Sequence, residues 1–250
     1  MRKVYLLPNF LTTLNMFCGF YSVISSIREE YTTAAWSIII AAFFDMIDGR
    51  VARLTKSTSS FGVEYDSLSD LVSFGFAPSM LIYLGALSGF GRLGWLVAFL
   101  FLACGALRLA RFNVMANRYS KSFFMGLPIP AAAGMVATFV IFREAIGWPA
   151  SEVWPAWMMG LSLGLSCFMV STIPFPSFKE FHGGARTTFG ILLLGLLVLI
   201  LVSIHPEITL FALGMTYVFA SLVWNGLRVA RRGSRLSHRI KSTDERSSHG

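Results

Sequence analysis

Charge is scarce in this chain. Only 14% of its 250 residues are charged, against about 25% in ordinary soluble domains. Hydrophobic residues fill 55%, and the mean hydropathy is +0.64. A chain this apolar lacks the polar surface to cover a water-facing globule, which excludes an ordinary soluble enzyme and a disordered chain. Cysteine is rare as well. Cys18, Cys104 and Cys167 are an odd number, each inside an apolar run. That spacing supports neither a disulfide framework nor a zinc site, so the three read as small apolar fillers. Histidine is limited to four residues, and none is assigned a role. No small-residue cleavage site closes the first apolar stretch, Val4 to about Ile27, so it reads as a retained helix rather than a signal peptide.

What the chain has instead is long apolar runs. A membrane span needs about 20 mostly apolar residues. Eight candidates run over roughly 6–27, 33–50, 67–90, 93–112, 127–146, 153–173, 187–205 and 207–228. Segments at membrane depth must be helices or a closed barrel, and runs this continuous choose helices. Assigned to alternate loops, 18 of the 21 basic residues fall on one side; only Arg28, Arg92 and Arg143 fall on the other. Basic residues favour the cytoplasm, which places both termini there and favours an even number of spans. The expected fold is therefore all-α, a polytopic membrane bundle of about eight transmembrane helices. Residues 1–228 form its membrane domain and 229–250 a basic cytoplasmic tail. The net charge of +8 follows from this topology and from contact with anionic lipid head groups. No aromatic interleaving accompanies the basic residues, so no nucleic-acid partner is expected.

Four aspartates break the apolar pattern. Asp45 and Asp48 close the second run, and Asp66 and Asp70 open the third. Spacings of three and four residues put each pair on one helical face, and a short loop lets the two faces meet. An aspartate within a membrane costs about 2.5–3.5 kcal/mol even on the lenient insertion scale. Four together need compensation. Oxygen ligands with no histidine or cysteine nearby suit Mg²⁺ or Mn²⁺, and two such ions would neutralise the cluster while leaving positions for phosphate oxygens. Gly49, Ala52 and Gly62 remove bulk from the same region, and Arg53 supplies a fork suited to phosphate. Ser57, Thr58, Ser59 and Ser60 add hydroxyls on the linking loop.

Written out, DMIDGRVARLTKSTSSFGVEYDSLSD (residues 45–70) resembles the signature of the CDP-alcohol phosphotransferase family, D-x2-D-G-x2-A-R-x8-G-x3-D-x3-D. Asp45, Asp48, Gly49, Ala52, Arg53, Gly62, Asp66 and Asp70 fill every fixed position. The resemblance implies an integral membrane enzyme that moves a phosphatidyl or similar group from a CDP-linked donor to an alcohol and releases CMP. It implies that Asp45, Asp48 and Asp66 ligate metal, and that Asp70 helps hold it and acts as general base. It further implies that Gly49 and Arg53, with Ala52, Gly62 and a loop hydroxyl at about Ser59, contact the CDP part. Family members often begin their first helix P-N-x-L-T, as Pro8, Asn9, Leu11 and Thr12 do here. Asn9 and Thr12 then face the nucleotide, or alternatively Pro8 and Asn9 are only helix-entry signals.

Three further segments resemble the phosphatidylserine synthase branch of that family: residues 62–78, RLARFN (108–113) followed by GLPIPAA (126–132), and STIPFPSFK (171–179). The resemblance implies CDP-diacylglycerol and L-serine as substrates, the lipid bilayer as surroundings, a homodimer, and an active site on the cytoplasmic side of the cell membrane. Arg108 and Arg111 lie three apart on one helical face, and a guanidinium can hold the carboxylate of serine at two points. Asn113 and Lys179 are further candidates for serine or phosphate. A glycerol-phosphate or inositol-phosphate acceptor would also draw arginines, so charge alone does not select serine. An ion or solute transporter is the rival of another class, because intramembrane carboxylates also mark ion paths. Transporters often repeat such features in matching halves, and the aspartate block has no copy in residues 126–250.

Overall fold

Without water, backbone N–H and C=O groups must pair within their own segment, and apolar runs of this length do so as helices. The computed structural model describes residues 6–55, 59–116, 124–147, 153–171, 174–175 and 185–221. Among the described residues there are eight helices. They are α1 (Leu6–Ile27), α2 (Tyr31–Leu54), α3 (Ser60–Phe90), α4 (Arg92–Ala116), α5 (Ile129–Ala145), α6 (Val153–Val170), α7 (Ala185–Ile204) and α8 (206–221). Among the described residues the one strand pairing is a two-residue antiparallel ladder, Phe124–Met125 (β1) against Pro174–Phe175 (β2). Four stretches are long and apolar enough to cross a membrane: Leu7–Ile27, Ser60–Phe90, Arg92–Val114 and Val153–Val170. The last two turns of α2 carry Asp45, Asp48, Arg50 and Arg53, α5 has 17 residues, and Gly195–Ile204 of α7 is a further apolar helical stretch. The tail 229–250 lies outside the described residues.

Three helix boundaries lie four or more residues from the hydropathy pattern: α2 runs on to Leu54, α4 runs on to Ala116, and α3 begins at Ser60 instead of near 67. The first eleven residues of α3, SFGVEYDSLSD, are too polar to register as a span. They are helical because Ser59 caps them, its hydroxyl accepting from Gly62 N at 3.0 Å, and because they pack on α1. Asp66 and Asp70 therefore lie in the second and third turns of α3, not at its first.

The middle of α3 is irregular. Leu71–Phe76 is π-helical, and the Ala77 N–H reaches back five residues to Val72 O. Pro78 gives the reason: it has no N–H for the carbonyl of Phe74 and its ring crowds that turn. This wider turn begins directly after Asp70. It carries Ser73, whose hydroxyl donates to Asn15 O at 2.9 Å, one turn beyond Ser69, whose hydroxyl donates to Thr12 O at 3.0 Å. Two side chains of α3 thus fasten it to two carbonyls of α1.

Small residues permit this approach. A Cβ on Gly19 of α1 would lie 2.6 Å from Ser73 Cα. Nearly one turn beyond Gly19, the Ser22 hydroxyl donates to Ala34 O at 2.9 Å, and Ala34, Ala35 and Ala41 of α2 are fully buried. α5 is enclosed along most of its length, with Ala132, Ala133 and Ala137 among its buried residues. Gly19→Ala is expected to force α1 and α3 apart and to lower stability by about 1–3 kcal/mol. A melting temperature in detergent equal to that of the wild type would show that this glycine does not set the spacing.

Candidate active site

The turn Arg28–Glu30 folds α2 back along α1, and five residues separate the end of α2 from the start of α3. The last two turns of α2 therefore face the first three turns of α3. Asp45, Asp48 and Asp66 offer carboxylate oxygens that all lie within 4.8 Å of one another. The carboxyl of Asp70, one turn beyond Asp66, adjoins that of Asp45. The structure thus gathers all four aspartates, from two helix ends, into one place. Asp48 is only 5% exposed, and Asp66 Oδ1 is buried with no hydrogen-bond partner among the described residues.

Carboxylates do not collect at such distances in a poorly solvated site without a counter-charge. The orphaned oxygen of Asp66 and the all-oxygen donor set fit a hard divalent cation. Asp45, Asp48 and Asp66 are the residues that could hold it.

α1 supplies partners from the opposite side. Thr12 Oγ1 lies 2.9 Å from Asp48 Oδ2, to which it donates, and 3.1 Å from Pro8 O. Three residues on, Asn15 Nδ2 donates to Asp70 Oδ1 at 3.4 Å. Thr13, on another face, pairs with the Tyr65 hydroxyl at 2.9 Å.

Beside the carboxylates is a cavity of about 170 Å³. Its walls include Asn9, Thr12, Gly49, Ala52, Arg53, Ser59 and Gly62, together with Asp48 and Asp66. Those seven are the residues expected from the sequence to meet the CDP part, and one cavity brings them all together with two of the aspartates. The glycines matter geometrically: a Cβ on Gly62 would stand 3.2 Å from Ser59 Oγ and 3.6 Å from Asn9 Oδ1, and one on Gly49 would stand 3.6 Å from an Arg53 Nη. Arg53 itself is exposed, free to close over a ligand.

The candidates for the acceptor are placed less uniformly. Arg108 is 7% exposed, within electrostatic reach of Asp70, and its Nε has no hydrogen-bond partner among the described residues. The guanidinium of Arg111 donates at 3.1 Å to Val170 O and at 3.1 Å to Ser171 O, tying α4 to the end of α6. Gly126, at φ +83°, is part of the same join, since a Cβ there would lie 3.2 Å from Arg111 Nη2. Asn113 Nδ2 donates to Ser67 Oγ at 2.9 Å, next to Asp66 in the chain. Lys179 lies outside the described residues, as do Ser57 and Thr58.

Sequence reasoning passed over Asn15, Ser69 and Ser73. A signal was there: Asn9, Thr12 and Asn15 recur every three residues along the first half of α1.

A match to the family described as CDP-alcohol phosphatidyltransferase covers residues 5–168, which takes in the four aspartates, the cavity, and Arg108 and Arg111 of α4. The chain belongs to that family. With four helices able to cross a bilayer, it is an integral membrane protein. A Helicobacter pylori protein named CDP-diacylglycerol–serine O-phosphatidyltransferase is 36% identical over 91% of this chain and 94% of its own length. A Bacillus subtilis protein of the same name is 36% identical over 70% of this chain and 92% of its own length. A Methanothermobacter thermautotrophicus protein named archaetidylserine synthase is 38% identical over 68% of this chain and 69% of its own length.

Proposed function

We propose that this chain transfers the phosphatidyl group of CDP-diacylglycerol to the hydroxyl of L-serine, giving phosphatidylserine and CMP. The observation that carries the reading is the juxtaposition of the four aspartates with a cavity walled by the signature glycines and Arg53. The names of its relatives in two bacteria and an archaeon support serine as the acceptor. The acyl chains of the donor stay in the bilayer while its nucleotide enters the cavity. Asn9, Thr12, Ser59 and the backbone at Gly49, Ala52 and Gly62 receive the nucleotide, and Arg53 closes on its phosphates.

Asp45, Asp48 and Asp66, with Asp70 beside them, would hold one or two Mg²⁺ or Mn²⁺ ions, which when bound offset negative charge on the phosphates and on departing CMP. Asp70 accepts the proton of the serine hydroxyl. The serine oxygen forms its bond to the phosphorus that carries diacylglycerol. The bond from that phosphorus to the bridging oxygen breaks, and CMP leaves with the electron pair. Arg108, buried and close to Asp70, holds the serine carboxylate, and Arg111, Asn113 and Lys179 complete the serine and phosphate contacts.

The same reading places all eight helices in the cell membrane, both termini and the active site on the cytoplasmic side, and two copies in a homodimer. The distribution of basic residues supports the orientation. The test is CMP release by detergent-purified protein given CDP-diacylglycerol, Mn²⁺ or Mg²⁺, and serine. Release is expected to depend on serine and to stop with chelator. Release with glycerol phosphate or inositol phosphate in place of serine would overturn the acceptor, and no release with any alcohol would return the ion-path reading of the carboxylates.

A further inference from the structure

Asn15 is fully buried in α1. A buried polar group left without partners costs about 1–3 kcal/mol, so an amide here calls for a use. Its Nδ2 lies 3.4 Å from Asp70 Oδ1. The opposite orientation of the amide would set two acceptors against each other, so the chemistry of the pair assigns the nitrogen to Asp70. Asn15 does not line the cavity; Thr12, nearly one turn earlier, does. α1 therefore gives one donor to Asp48, among the prospective metal ligands, and a separate one to Asp70.

The main chain at Asn15 is also fixed from α3. The Ser73 hydroxyl donates to Asn15 O at 2.9 Å, and the bare Cα of Gly19 allows the two backbones to meet. Ser73 sits in the π-helical turn that begins immediately after Asp70. The same contact that brings α1 to α3 thus sets the distance between the amide and the carboxylate.

We propose that Asn15 is a positioning residue for Asp70. Its amide fixes the rotation of the carboxylate so that one oxygen is engaged and the other is presented to the acceptor hydroxyl. This rests on Asp70 being the base. A displaced catalytic group loses up to about 100-fold in rate, and the loss falls on turnover, because Asn15 touches neither the cavity nor the three prospective metal ligands.

The test uses purified Asn15→Ala, the uncharged Asn15→Leu of the same branched shape, Asp70→Asn and wild type. For each, kcat and both KM values are measured by CMP release, and Mn²⁺ affinity by electron paramagnetic resonance of the free ion. Both Asn15 variants are expected to lose about 10–100-fold in kcat, with KM for CDP-diacylglycerol, KM for serine and Mn²⁺ affinity each within about threefold of wild type. Asn15→Leu fills the space of the side chain without a donor or a charge, so it carries the test if Asn15→Ala does not fold. A wild-type kcat in either folded variant overturns the proposal. So does a loss that appears equally in Mn²⁺ affinity and melting temperature, which would make Asn15 a packing residue only. Asp70→Asn separates the two levels: turnover retained there overturns the base assignment, whereas turnover lost there and kept in the Asn15 variants overturns only the positioning role.

Discussion

Asp70→Asn is expected to lower kcat by about 10²–10⁴-fold, the range that a positioned general base contributes. Asparagine matches aspartate in shape but cannot take a proton from the attacking hydroxyl. The surroundings make the loss specific. The carboxylate oxygens of Asp45, Asp48 and Asp66 meet one another without Asp70, and the cavity beside them is walled by other residues. KM for CDP-diacylglycerol is therefore expected to change little, and the variant should elute and melt like wild type. Steady-state CMP release with serine varied checks this. Turnover within tenfold of wild type would place the base elsewhere.

The second large effect is on metal binding. Asp66→Asn removes one of three carboxylates whose oxygens lie within 4.8 Å of one another. It also replaces the buried Oδ1 that has no partner among the described residues. Loss of an outer partner of a metal ligand alone weakens binding about 10–100-fold, and loss of a ligand is expected to exceed that. The sign of the stability effect should reverse with metal. Without metal, one fewer like charge relieves repulsion in the cluster, so Asp66→Asn should melt at or above the wild-type temperature. With metal at about 100 times its dissociation constant, wild type gains about 2.7 kcal/mol from binding, and the variant gains little. Thermal denaturation with Mn²⁺ and with chelator reads both. An unchanged metal-dependent shift in Asp66→Asn would remove this residue from the ligand set.

Much of this protein is legible without its structure. Each of the eight apolar runs is helical over nearly all its described residues, because a continuous apolar run pairs its backbone polar groups within its own segment. The spacing of Asp45, Asp48, Asp66 and Asp70 places each pair on one helical face before any packing is known. The glycine and alanine positions between them mark where bulk is excluded. These features are local, carried by residue type and period, so they are readable in one dimension.

The tertiary structure decided what depends on how distant segments meet. Hydropathy started α3 near 67 because SFGVEYDSLSD is polar, whereas the Ser59 cap and the contact with α1 make it helix from Ser60. Thr12 looked like a nucleotide contact from its place at the helix entry. It does line the cavity, but its hydroxyl also serves Asp48. Arg108 and Arg111 are alike in sequence, three residues apart on α4. One is buried near Asp70, and the other is anchored on the carbonyls of Val170 and Ser171. Asn15 and Ser73 are 58 residues apart and meet only because Gly19 lets two helices close up. Which groups are available, and on which helical face each lies, is readable from the residues alone, because period and composition are local properties. Which of them touch was settled by close packing between helices, where a missing Cβ or a π-helical turn moves a side chain onto its partner.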